Sequence, residues 1–117
     1  MTRRIYTGTD PALIAKDYDA QADADYRRAR RAARDTAEWY RHAAHERDML
    51  AWTLRRIARG SEMGDLDTPA TIEESIRLWT RLADRELQRS FRLTDDARRH
   101  AAAARRFRAI AAQSLAS

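Results

Sequence analysis

The sequence predicts an all-α protein, a long antiparallel helical hairpin with coiled-coil-like spacing. Three observations predict it. The helix-interrupting residues glycine and proline number only 3 and 2 in 117 residues. Alanine, the best helix former, occurs 24 times, and valine not at all. The two prolines stand where helices start, and Gly60 and Gly64 lie together between two stretches that contain neither residue type.

Residues 1–9 read as a short N-terminal arm. Thr9-Asp10-Pro11 then offers an N-cap followed by proline in the first helical turn, so helix one is expected over 10–59. Gly60 sits where a left-handed C-cap belongs, with Arg55, Arg56 and Arg59 in the last turn to complement the helix dipole. Residues 60–68 hold two glycines, and Pro69 follows them, which marks the connecting loop. Helix two is expected over 69–116, capped by Thr68 before Pro69 or by Thr71 with Glu74 three residues later. Thr94-Asp95-Asp96 could cap a new helix, so a split near 93–95 is the alternative to one continuous second helix. Residues 1–117 are the length of a single helical domain.

Apolar residues recur at steps of three and four. In helix one the expected seam is Tyr26, Ala29, Ala33, Thr36, Tyr40 and Ala43, then Leu50, Leu54 and Ile57, broken by Arg47. In helix two it is Ile72, Ile76, Trp79, Ala83, Leu93 and Ala97, then Ala104, Phe107 and Ala111, with polar breaks at Glu86, Ser90 and His100. If the turn is centred near Gly64, facing residue numbers total about 128. That register sets Asp17, Asp19, Asp23 and Asp25 beside Arg105, Arg106 and Arg108, Leu50 opposite Leu78, and Tyr18 opposite Ile110.

Large apolar residues outside the seam need a cover. Trp39, Trp52, Leu78, Leu82, Leu87 and Phe91 are therefore read as a partner-binding surface, and the expected cover is a second copy completing a four-helix bundle.

Charged residues make up 35% of the chain, with 23 basic against 18 acidic. Lys16 is the only lysine. An Arg- and Ala-rich composition is what a GC-rich coding sequence produces, so the arginine excess by itself identifies no ligand. Two clusters are specific enough to weigh. Arg27, Arg30, Arg31 and Arg34 lie within about a 100° arc of helix one. Arg98 and Arg99 come beside them in the hairpin register, and Arg105 repeats Arg98 seven residues on, giving a basic band able to meet phosphates. The neighbouring Asp95 and Asp96 dilute it, and no base-reading motif is present.

Catalytic patterns are missing. With no cysteine, thiol chemistry, disulfides and thiolate metal sites are excluded. Gly8, Gly60 and Gly64 form no phosphate-cradling loop, and no Ser, His and acid grouping occurs. Asp35, Glu38, His42, His45 and Glu46 are the one cluster with metal-ligand side chains, yet it lacks the Glu-x-x-His spacing of di-iron bundles. No metal and no cofactor is expected there. Met1–Thr7 has basic residues without a following apolar run, and nothing approaches a membrane span, so a cytoplasmic location without membrane partners is expected. The functional expectation is a non-enzymatic protein-interaction or structural module, a homo-oligomeric hairpin docking on a protein. Sequence-independent nucleic-acid binding by the arginine band is the alternative.

Overall fold

A computed structural model describes residues 10–60 and 68–116 of the chain. The expected arm over 1–9 and most of the expected loop lie outside the described residues. Two helices, α1 (Pro11–Ala58) and α2 (Pro69–Ala116), each of 48 residues, pack against each other as a hairpin.

The ends form for the reasons the sequence gives. Asp10 caps α1: its Oδ1 accepts from the Ala12 N–H at 2.9 Å, while its carbonyl accepts from Leu13 and Ile14. Gly60 ends the segment with φ +78°, and its N–H donates to the Ile57 carbonyl at 2.9 Å. Of the two candidate caps for α2, Thr68 is used: its Oγ1 accepts from the Thr71 N–H at 3.2 Å. Thr71 already lies inside the helix and meets the Thr68 hydroxyl through its own.

No split occurs near Thr94. Its hydroxyl donates back to the Ser90 carbonyl at 2.9 Å, so the group that would have capped a new helix is satisfied inside the old one. Asp95 and Asp96 pair with Arg98 and Arg99 one turn on, which adds support within α2.

Contacts divide the hairpin into two compact units. One joins α1 up to Arg30 with α2 from Ser90 onward; the other is Arg31–Arg89. In the first, Ala15, Ala22, Asp25 and Ala29 are buried from α1, and Ser90, Ala97 and Ala104 from α2, with Tyr18, Leu93, His100 and Phe107 half-buried. In the second, Ala32, Thr36, Ala43 and Thr53 are buried from α1 and Ile72 and Ala83 from α2. Trp39, Glu46, Leu50, Ile76, Trp79 and Glu86 are half-buried there. These positions repeat with steps of three and four through both units, a heptad seam whose buried positions are chiefly small residues and whose half-buried ones are larger.

The α2 seam is the expected one, except that Glu86, Ser90 and His100 sit in it instead of breaking it. The α1 seam is corrected by one residue at every second position. Asp25, Ala32, Trp39, Glu46 and Thr53 line it where Tyr26, Ala33, Tyr40, Arg47 and Leu54 were expected. Ala33, Arg47 and Leu54 are exposed, and Tyr26 and Tyr40 lie half-buried at the edge. The physical reason is that the expected rotation would have packed Arg47 inside, whereas the observed one turns Arg47 outward and gives the buried Asp25 a partner from α2, His100. The register is corrected with it. A total of about 128 would have set Ala103 against Asp25, but His100 is there. Tyr18 stacks on Phe107 and His100, not on Ile110, and Leu78 points outward instead of meeting Leu50. Arg108 does reach Asp19, as expected.

Candidate interaction surface

The heptad seam orders everything outside it. In an antiparallel pair the residues flanking the seam fall on two edges, each shared by both helices. In unit Arg31–Arg89 one edge carries Glu38, His42, His45, Met49 and Trp52 from α1 with Leu78 and Leu82 from α2. The other carries Tyr40 and Leu54 from α1 with Asp84 and Leu87 from α2. The six expected partner-binding residues are therefore not one surface. Trp52 is 43% and Leu78 48% exposed, and with half-buried Met49 and Leu82 they make an apolar patch on the first edge. Leu87 is on the opposite edge, and Phe91, 53% exposed, belongs to the other unit. Trp39 is a seam residue whose ring stacks on Trp79 at 5.2 Å.

Local contacts hold the apolar patch in shape. The Arg56 guanidinium sits 4.7 Å from the Trp52 ring centre, a cation–π contact one helical turn apart. His42 stacks on Trp79 at 4.6 Å, and its Nε2 lies 4.0 Å from Glu38 Oε1. Among the described residues no three His, Asp or Glu side chains converge as metal ligands. Glu46 turns into the seam, away from the edge that carries His42 and His45, so the cluster that was contiguous in sequence is divided in space.

The expected basic residues fall in both units. Arg27, Arg30, Arg98, Arg99 and Arg105 are exposed in the first unit, and Arg31 and Arg34 in the second. In the first unit Arg30, Arg98 and Arg105 share one edge and Arg99 takes the other, while Arg27 points outward from α1. Arg98 lies 3.7 Å from Asp95, and Arg99 is bound to Asp96. The helical positions thus distribute positive charge around the first unit and neutralise part of it locally.

Two polar contacts escaped the sequence reading. In the first unit Asp25, only 6% exposed, accepts from Arg28 at 2.8 Å through Oδ1 and meets His100 Nδ1 at 2.9 Å through Oδ2. Tyr18 covers the imidazole, with ring centres 5.9 Å apart. A carboxylate on α1 held by a cation of its own helix and a ring of the other fixes which residues face each other. In the second unit the Tyr40 hydroxyl donates to Asp84 at 2.5 Å. That hydrogen bond first, then burial and the charge of Asp84, raises the phenol above its ordinary value. The signal for both pairs was a seven-residue repeat continued through polar positions, and it can be read only once the register is known.

No known protein family, curated relative or solved structure matches the chain. Among the described residues no helix is long and apolar enough to cross a membrane.

Proposed function

We propose that the chain is a non-enzymatic interaction module, a helical hairpin that assembles with copies of itself and docks on a protein through apolar side chains left outside its seam. One observation carries the reading: the buried seam positions are filled mostly by alanine, serine and threonine, while Trp52 and Leu78 stay exposed on one edge. Such an edge, with an exposed tryptophan under a guanidinium, has the make-up of an interface centre. A four-helix bundle of two hairpins is the assembly this implies. A cytoplasmic setting fits the reading.

Sedimentation velocity on the wild type and on a Trp52→Ser, Leu78→Ser variant at about 10–100 µM, a range that brackets micromolar affinity, tests it. The wild type is expected to sediment as more than a monomer, and the variant as a monomer with unchanged helical circular dichroism. A monomeric wild type across that range removes self-assembly from the reading. Nucleic-acid binding is a weaker second reading, because Arg98 and Arg99 are already paired with Asp95 and Asp96.

A further inference from the structure

The edge of unit Arg31–Arg89 that carries Trp52 is a single stripe on α1, its members three and four residues apart. The ends of the stripe are opposite in charge. Asp35 and Glu38 stand at one end, Arg56 and Arg59 at the other; Arg56 is half-buried and the other three are exposed. Between them lie His42 and His45, then Met49 and Trp52. Turned end for end about a point near Arg47, this stripe maps onto its own complement. Asp35 falls on Arg59 and Glu38 on Arg56, while His42 falls on Trp52 and His45 on Met49. Acid meets base at both ends, and ring or sulfur meets ring in the middle.

The apolar residues of the second helix fit the same operation. Tyr40 opposite Asp84 fixes the local register and puts Leu78 near the midpoint of the stripe, with Leu82 one turn away. A two-fold axis there brings Leu78 of two copies together at the centre, with Leu82 of each one turn from it. The stripe from Asp35 to Arg59 is about 36 Å long at 1.5 Å per residue, and two helices are about 20 Å wide. That is on the order of 700 Å² per copy, close to the ~800 Å² per partner of a standard stable interface.

We infer that the occupant of this edge is a second copy of the chain, packed antiparallel with α1 on α1 and α2 on α2; the inference rests on the self-assembly reading above. Charge decides the orientation. With α1 laid on α2 of the other copy and both loops at one end, Glu38 would face Arg85, but the register set by Tyr40 and Asp84 brings Arg56 to Thr68, where no acid stands among the described residues. Among the described residues, only the antiparallel placement of α1 on α1 gives both ends of the α1 stripe an opposite charge, twice per dimer. An isologous contact of this kind closes on itself and stops at two copies.

The experiment uses charge reversal in the full chain. Glu38→Arg sets two guanidinium groups against each other at both ends of the dimer, and Arg56→Glu sets two carboxylates against each other there. Each variant alone is expected to dissociate about tenfold more readily than wild type in about 50 mM salt, where such contacts are weakly screened. An equimolar mixture of the two restores attraction between the copies in a heterodimer, so mixing is expected to bring the dissociation constant back to within about threefold of wild type. Because Arg56 also stacks on Trp52, the outer pair Asp35→Arg and Arg59→Glu repeats the test at exposed positions. Fluorescence energy transfer between separately labelled variants reads both mixtures. Rescue in either mixture supports the antiparallel pair. A wild type that self-associates while neither mixture recovers overturns this packing and leaves the assembly reading standing. Rescue of Glu38→Arg by Arg85→Glu instead overturns it in favour of α1 on α2.

Discussion

At the scale of residues, stability in the first unit turns on Asp25. Its carboxylate is buried between Arg28 and His100, and removing it leaves two donors facing each other across the seam without their acceptor. Asp25→Ala is therefore expected to lower the unfolding free energy by about 1–3 kcal/mol, measured by urea denaturation. Asp23→Ala, at an exposed site two residues away, should change it by less than about 0.5 kcal/mol. Equal effects at the two positions would mean that burial of Asp25 carries no energetic weight. Tyr40 makes a second prediction, about pH. Its phenol is neutral while it donates to Asp84, and in the folded chain its proton is held above the ordinary value of 10.0. The unfolded chain releases that proton at the ordinary value. The contribution of the contact is therefore complete below it and lost as pH rises through the raised value. Between about pH 9 and pH 11 the wild type should lose more stability than Tyr40→Phe, which has no proton to release. Parallel losses would show that the contact does not form in solution.

At the scale of elements, the seam decides how closely α1 and α2 approach. Ala43 and Ala83 are fully buried in the second unit, and a side chain larger than a methyl group at either has no room without moving a helix. Ala83→Leu is expected to destabilise by about 1–3 kcal/mol, whereas Ala44→Leu, next along α1 and exposed, should be close to neutral. If Ala83→Leu stabilises the chain, the helices are further apart than described and the seam is underfilled. Helix ends were legible because caps are local: Asp10, Gly60 and Thr68 act on backbone groups within three residues. Continuity through Thr94 was legible from the absence of glycine and proline. The α2 seam was legible because its apolar residues are large enough to show the repeat. The α1 seam was not, because Tyr26, Tyr40 and Leu54 outweigh Asp25, Ala32 and Thr53 in any count of apolar character. Which of two adjacent stripes faces inward depends on the other helix, where His100 waits for Asp25. The same dependence hid the interaction edge. Trp52 and Leu78 could be seen to lie off the seam, but their separation from Leu87 follows only from the corrected rotation.

At the scale of the whole molecule, the basic excess poses the remaining question, since 23 basic against 18 acidic residues favours contact with polyanions in general. Affinity of that kind depends on how many phosphates are met at once. Arg30, Arg98 and Arg105 share an edge of the first unit, so a strand laid there meets about three phosphates, half of the roughly six that an undivided band would have reached. Each lost contact weakens binding and flattens its dependence on salt. Asp19 and Asp23 lie near that edge and repel the backbone. Anisotropy titrations of labelled random duplex and single strand, run at about 50 and about 200 mM salt, are expected to show weak binding that loses about fortyfold between them. An undivided band would lose on the order of a thousandfold or more. Arg30→Ala with Arg105→Ala should abolish the low-salt signal, while Arg31→Ala with Arg34→Ala, in the other unit, should leave most of it. Submicromolar binding at physiological salt, lost in both variants, would make nucleic acid the primary ligand. It would also mean that the arginines of the two units act together.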